Sequence, residues 1–102
     1  NKKEGKINWN DNSKKIIGKI NGLHPNPGAY FIFKGNRYKI LKAEIGNGSG
    51  HPGEVLNDKL EIACSNNESI KVIKIQKEGK KIQEINEFLN GSKILKGRTL
   101  NE

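Results

Sequence analysis

The sequence predicts a mainly β fold with one helix before the strands and a short helix after them. Three observations predict it. Apolar residues recur at helical spacing across residues 16–23. Residues 29–76 are rich in β-branched and aromatic side chains and are interrupted by short turns of Gly, Asn and Asp. Residues 82–89 then return to helical spacing.

The first helix is preceded by Asp11, Asn12 and Ser13, three residue types that favour a helix start. We expect the helix to end near Asn21-Gly22, shortly before two prolines. Its lysines are expected to face water. Its apolar face consists of Ile16, Ile17, Ile20 and Leu23.

The most informative segment is the rigid turn after this helix, where residues 20–30 read INGLHPNPGAY. Pro25 and Pro27 fix their own φ angles and push His24 and Asn26 toward extended geometry. Gly28 lets the backbone relax into the strand that follows.

Short strands joined mostly by tight turns follow this segment. Residues 46–53, GNGSGHPG, predict a flexible loop. The alternation fails near Val72-Ile73, which predicts either a β-bulge or burial on both faces. Five short antiparallel strands in about 50 residues favour a small, partly open barrel of the oligonucleotide/oligosaccharide-binding (OB) type, with a six-stranded barrel of another kind as the alternative. The predicted strands are 29–33, 37–45, 53–56, 60–64 and 69–76.

Both ends of the chain carry apolar residues that are expected to anchor them. Ile7 and Trp9 predict a short extended segment packed on the domain. The apolar residues of 82–89 predict a short helix ended by Asn90-Gly91. Ile94 and Leu100 are candidate anchors of the tail.

Composition excludes several classes of protein. The 102 residues predict one domain, and no stretch approaches the ~20 apolar residues of a membrane span. Cys64 is the only cysteine, so no intrachain disulfide is possible, and its apolar neighbours predict a small buried side chain. His24 and His51, the only histidines, both lie beside prolines, and we expect neither a metal site nor a catalytic residue in this chain.

The net charge of +8 is unevenly distributed. Residues 1–42 carry ten basic and two acidic groups, residues 43–70 one and five, and residues 71–102 eight and four. This segregation predicts a basic face and a polyanionic partner, although an ordinary solvated surface and the lysine bias of an AT-rich genome are alternatives. The absence of Met favours a domain excised from a longer protein, with residues 1–6 as the end of an interdomain linker and 7–102 as the domain.

Eight short motifs occur in an order that covers essentially the whole chain. Each is weak alone, and together they are specific. They are Ile7 to Trp9, Pro25 to Tyr30, Lys39 to Ala43, Pro52 to Leu56, Ile62 to Cys64, Ile75-Gln76 with Gly79 to Lys81, Phe88 to Gly91, and Gly97 to Leu100.

In these motifs the chain resembles the formyltransferase C-terminal domain family, in particular that of the methionyl-tRNA formyltransferases. Two positions depart from the family pattern: Asn26 stands where an aromatic residue is common, and Asn21 where a basic residue is usual. The resemblance implies an OB-like barrel that holds the initiator methionyl-tRNA through its phosphate backbone. It also implies that the chemistry, with 10-formyltetrahydrofolate as formyl donor, belongs to an N-terminal catalytic domain of the same cytoplasmic protein. This chain alone would then be inactive and bind no cofactor. We also expect a monomer, because no large apolar stretch argues for an obligate oligomer.

Lysines suffice for phosphate contacts, which position a nucleic acid without reading its sequence. Tyr30, Phe31 and Phe33 are expected in the core rather than on bases. Two other functions remain open, namely the same domain in a sugar-nucleotide or folate-processing formyltransferase, and a stand-alone OB-type nucleic-acid-binding module. The candidate tRNA contacts are Lys2, Lys34, Arg37, Lys39, Lys42, Lys80, Lys81 and Arg98.

Overall fold

The computed structural model describes residues 5–92 and 94–101. The strands form one antiparallel sheet that curls into a half-barrel, which confirms the predicted mainly β fold with a helix at each end. The elements are α1 (Ser13–Leu23), β1 (Ala29–Phe33), β2 (Asn36–Ile45), β3 (Glu61–Ala63), β4 (Ser69–Lys77), β5 (Gln83–Glu84) and α2 (Ile85–Leu89).

Strand β4 is the centre of the sheet, whose order is β1-β2-β4-β3. One side of β4 pairs with β2 along most of its length. The other side pairs first with β3, through residues 69–71, and then with β5, through Lys74 and Ile75. The end of β4 therefore lies close both to the β1–β2 turn and to the residues that lead into β5.

Two β-bulges bend the β2–β4 pair. On β2 the register skips one residue between Ile40 and Lys42. On β4 it skips Ile73, which has no partner between the pairs formed by Lys74 and Val72. The second shift confirms the irregularity predicted near Val72-Ile73 and identifies it as a bulge. Such extra residues bend and twist a strand, which helps an open sheet to curl.

The core lies between the inner face of the sheet and α1. The Asn12 side chain caps α1 by accepting a hydrogen bond from the Lys15 backbone N–H at 2.8 Å. Ile16 and Ile20 are fully buried, as their spacing predicts. Trp9 is also buried and packs against Phe31, with 6.4 Å between ring centroids, which confirms its core position.

Four local predictions were wrong. Residues 53–56 form only two isolated bridges, Glu54 to Thr99 and Val55 to Ile62, instead of a strand. The strand predicted over residues 60–64 is shorter, since β3 covers only Glu61–Ala63, and all five residues are buried. The strand β5, which follows β4, was not predicted, because two residues are too few to show a periodicity. The last helix begins at Ile85, which leaves Ile82 52% exposed before β5.

The edge of β1 that faces away from β2 is covered by both ends of the described chain. The Ile7 backbone N–H donates to the Tyr30 carbonyl at 2.8 Å. From the other end, Asn101 exchanges hydrogen bonds with Ile32 and donates its side-chain amide to the Ile7 carbonyl at 2.8 Å. Leu100 and Ile94 are buried, which confirms them as anchors. Covering an edge strand blocks its pairing with other chains.

Candidate nucleic-acid interface

A concave groove opens where the β1–β2 turn meets the end of β4, and its volume is about 530 Å³. Four lysines and one glutamate line it, which gives a formal charge of +3. We call this site the cationic groove. It is lined by Phe33, Lys34, Asn36, Tyr38, Lys77, Lys80, Lys81, Gln83, Glu87, Phe88, Gly91, Ser92 and Ile94.

Three aromatic rings form the floor of the cationic groove. Tyr38 stacks on Phe31, with 5.2 Å between centroids and 11° between planes, and meets Phe88 edge-on at 5.9 Å. Phe33, Tyr38 and Phe88 are each less than a tenth exposed. Because the core holds these rings on their inner side, the floor is a fixed surface against which long basic side chains can lie.

Cationic groups stand over this floor at cation–π distances. The Lys34 ammonium lies 5.6 Å from the Phe33 ring centroid, and the Arg98 guanidinium lies 5.5 Å from the same ring. The Lys77 ammonium lies 5.9 Å from the Tyr38 ring. Lys77 was not predicted as a contact from the sequence, where its only distinguishing feature is its place at the end of an apolar strand. It lies in the groove because it pairs with Tyr38 across the sheet, and this register cannot be read from the local sequence.

Lys80 and Lys81 lie in the turn that follows β4. This turn is held by a hydrogen bond from the Lys80 backbone N–H to the Lys77 carbonyl and by another from the Gln76 side chain to the Lys80 carbonyl, both 2.9 Å long. Both lysines are exposed, and the Lys81 ammonium lies 3.5 Å from a Glu87 carboxylate oxygen. The two-residue strand β5 lies between this turn and α2.

Arg37 and Lys39 lie elsewhere, on the outer face of β2, beside a second cavity of about 430 Å³. The Arg37 guanidinium stacks on the Tyr30 ring, 4.0 Å from its centroid. The Lys39 ammonium donates to the Pro25 carbonyl at 3.1 Å and approaches Asn26 Oδ1 at 3.5 Å. Both cations therefore already have partners within the domain.

The two remaining candidates join neither group. Lys42 is exposed beyond the bulge and pairs in register with Lys74, whose ammonium lies 3.6 Å from a Glu84 carboxylate oxygen. Lys2 lies outside the described residues. The structure thus brings together Lys34, Lys80, Lys81 and Arg98, adds Lys77, and leaves Arg37, Lys39 and Lys42 apart from them.

Two carboxylates of the acidic middle third of the chain, Glu61 and Glu68, accept hydrogen bonds that fix the local structure. Glu61 is buried, and it accepts hydrogen bonds from Ser69 Oγ at 2.6 Å and from the Gly48 and Asn47 backbone N–H groups at 2.7 and 2.9 Å. Burial raises its pKa, but these bonds and one from Asn57 outweigh that effect and lower the pKa overall. Glu61 therefore ties the glycine-rich loop to the sheet.

Glu68 has a similar role at the start of α1. Its carboxylate accepts hydrogen bonds from the Ser13 backbone N–H and hydroxyl, both 2.9 Å long, and these bonds lower its pKa. Cys64 is buried as predicted, and burial, with a smaller contribution from the Glu68 charge, raises its pKa to about 11. Across residues 5–92 and 94–101, no three His, Cys, Asp or Glu side chains come together as metal ligands, and no helix is long and apolar enough to cross a membrane.

The curled antiparallel sheet and the eight ordered motifs are together those of a small β domain of the formyltransferase type. The family model described as "Formyl transferase, C-terminal domain" matches residues 1–93. The chain therefore belongs to the formyl transferase C-terminal domain family.

Curated relatives share this region at high identity. The chain is 66% identical over 96 residues to the methionyl-tRNA formyltransferase of Pelagibacter ubique, covering 94% of this chain and 31% of that protein. It is 48% identical over 101 residues to the proteins of that name from Rickettsia massiliae and Rickettsia prowazekii, covering 97% of this chain and 33% of each. The chain thus spans about a third of the length of the curated relatives it matches.

Proposed function

We propose that this chain is the tRNA-holding C-terminal domain of a methionyl-tRNA formyltransferase. In this proposal the whole enzyme transfers a formyl group from 10-formyltetrahydrofolate to the amino group of initiator methionyl-tRNA. The family and the names of its relatives support the reaction. Formyl transfer and donor binding would belong to a preceding catalytic domain of a cytoplasmic protein, with residues 1–6 as the end of the linker between the domains.

The observation that carries the holding role is the concentration of cations in the cationic groove. Of its five charged lining residues four are lysines, and Arg98 stands beside them over Phe33. Phosphate oxygens are bound by such groups with release of condensed counterions, and this needs no particular base sequence. A domain that steers a tRNA without reading its bases requires this kind of surface.

We rank the candidate contacts by their position relative to the groove. Lys34, Lys80, Lys81 and Arg98 are the first candidates, and Lys77 joins them because it lines the same groove. Arg37 and Lys39 rank lower, because they lie on the outer face of β2, beside the second cavity and away from the groove. Lys2 and Lys42 remain candidates on sequence grounds alone.

The test is a titration of the chain with initiator tRNA at 50 and 200 mM salt. With ~4–6 phosphate contacts, affinity should fall by ~10²–10³ between these concentrations. A Lys80→Gln/Lys81→Gln variant should bind more weakly at 50 mM salt and show a salt dependence reduced by about two contacts. The matched control is Lys14→Gln/Lys59→Gln, which removes the same charge from two exposed residues outside the groove. Undetectable binding at 50 mM salt, or equal losses in both variants, would contradict the proposal.

A further inference from the structure

We infer that the cationic groove receives an unpaired nucleotide of the bound RNA, in addition to contacting duplex backbone. This inference rests on the proposed function, which requires only phosphate contacts. It adds a ligand of defined chemistry: one nucleotide whose base lies toward the aromatic floor and whose phosphate lies among the lysines.

The shape of the groove supports a nucleotide as its occupant. Its volume of about 530 Å³ lies within the ~300–1,000 Å³ range typical of small-ligand sites. The surface of a duplex is a convex row of phosphates, which can bridge the rim of a concavity but cannot fill it. A nucleotide that is not paired can turn its base into such a site, as is common where proteins recognise RNA loops and ends.

The chemistry of the lining is suited to both parts of a nucleotide. Phe33, Tyr38 and Phe88 line the groove with the small part of each ring that is exposed, less than a tenth, and aromatic contacts with a base tolerate any base because every base has a π face. Lys34, Lys77, Lys80 and Lys81 offer cations to its phosphate. Lys81 is partly neutralised by Glu87, the one lining carboxylate, at 3.5 Å, and Lys34, Lys77 and Lys80 are the remaining lining cations.

Two polar groups in the groove are left available to a ligand. Among the described residues, neither the Tyr38 hydroxyl nor the Gln83 side-chain amide makes a hydrogen bond within the chain. Tyr38 is only 6% exposed, and it lines the groove. These groups lie at the surface of the groove, where a ligand can replace the water that they bind, and the ribose hydroxyls and base edges of a nucleotide carry both donors and acceptors.

The second cavity, near Arg37, is less suited to this role. It is lined by two cations, Arg37 and Lys39, whereas four lysines line the cationic groove. It also includes Glu78, whose charge opposes a phosphate. The nucleotide is therefore assigned to the cationic groove alone.

The test compares a four-nucleotide single-stranded RNA with a duplex of matched sequence and with inorganic phosphate. Backbone amide shifts of the ¹⁵N-labelled chain would be followed during each titration, and affinities measured by fluorescence anisotropy of labelled RNA. We expect the single strand to shift residues 34, 38, 83 and 88 and to bind at least ~10-fold more tightly than phosphate. Tyr38→Phe keeps the ring and removes one hydrogen bond, so it should weaken single-strand binding ~3–10-fold without changing its salt dependence.

Matched measurements separate failure of the inference from failure of the proposed function. Gln83→Ala is the second groove variant, and Lys14→Gln, on the exposed side of α1, is the control; thermal unfolding of each variant confirms that it folds. If Tyr38→Phe and Gln83→Ala both bind the single strand like the parent chain, or if the single strand shifts no groove residue, the inference is overturned. In that case salt-dependent tRNA binding would still support the proposed function. Absence of tRNA binding would instead overturn both.

Discussion

Lys39 lies directly across Gly28, so closely that a Cβ atom added to Gly28 would overlap the side-chain carbons of Lys39. The Lys39 side chain extends beyond the glycine, and its ammonium donates to the Pro25 carbonyl at 3.1 Å. Gly28 itself has a φ angle of +85° and donates its N–H to the Leu23 carbonyl at 3.0 Å. Lys39 therefore straps the proline turn onto β2, and the glycine is needed both for this contact and for its backbone conformation.

Gly28→Ala is expected to destabilise the domain by about 1–2 kcal/mol. The new methyl group would displace Lys39, and alanine would have to adopt a positive φ angle that it disfavours. Urea unfolding followed by Trp9 fluorescence measures the change. The matched control is Gly18→Ala in the middle of α1, where an added Cβ meets nothing within 4 Å. That control should stabilise the domain by about 0.5–1 kcal/mol, and similar effects of the two variants would contradict the assignment.

Lys39→Met and Lys80→Gln should separate stability from binding. Methionine keeps the apolar stem of Lys39 but cannot bond to the Pro25 carbonyl, so we expect a loss of about 0.5–1.5 kcal/mol in the free energy of unfolding. Its effect on tRNA affinity should be smaller than that of Lys80→Gln. Lys80 is exposed, and its loss should leave stability nearly unchanged. The opposite ranking in the tRNA titration would show that the outer face of β2 is the main contact surface.

The stability of the domain should fall in acid, in part because of Glu61. Its pKa is lowered in the folded state, so its stabilising contribution is complete above the unfolded pKa of about 4.3 and is lost as the pH falls through the lower, folded value. Glu61→Gln should cost about 1–3 kcal/mol at pH 7, because the amide N–H₂ group faces donors, and it should reduce the further loss between pH 7 and pH 3. Glu68 supplies another part of that loss, since its pKa is also lowered. If Glu61→Gln lost as much stability between pH 7 and pH 3 as the parent chain does, this carboxylate would not tie the loop to the sheet.

Cys64 should be unreactive in the folded domain. With its pKa raised to about 11, roughly one thiol in a thousand is ionised at pH 8, whereas a cysteine in the unfolded chain has a pKa of about 8.5. We expect labelling by a thiol-specific disulfide reagent at pH 8 to be at least ~100-fold slower for the folded domain than in 6 M guanidinium. Labelling as fast as that of the unfolded chain would mean that the Cys64 strand end opens readily.

Asn101→Ala should loosen both ends of the described chain at once. The Asn101 side chain accepts from the Ile32 N–H and donates to the Ile7 carbonyl, each at 2.8 Å. Losing both bonds and leaving two backbone groups at the β1 edge unpaired should cost about 1–3 kcal/mol. Hydrogen exchange should show the largest loss of protection at the Ile7 and Ile32 amides. Asn90→Ala, at an exposed position after α2, is the comparison variant and should have little effect.

The helix and the longer strands could be predicted because their patterns are local. Residues 13–23, 29–33 and 69–76 each carry a period or a composition that is typical of one type of structure. The burial of Glu61 could not be predicted this way, since its partners Ser69 and Gly48 reach it only through strand pairing and loop closure. By alternation alone Glu61 would face water, opposite Leu60 and Ile62.

The candidate site shows the same division. Basic residues near the ends of predicted strands were visible in the sequence, but the grouping of Lys34 with Lys80 and Lys81 depends on β4 running beside β2. Lys77 was missed for that reason. Lys39, by contrast, was a candidate contact on charge alone, and only the fold shows that its ammonium is bound to a proline carbonyl.

The hydrogen bond between Asn101 and Ile7 brings the two ends of the described domain close enough for circular permutation. Because these two residues are joined by one hydrogen bond of 2.8 Å, a short linker could close the chain into a ring without disturbing the sheet. New ends could be opened between Asn66 and Asn67, which form an exposed turn with positive φ angles away from the cationic groove. The resulting circular permutant would keep every strand pairing while starting and ending at the β3–β4 turn.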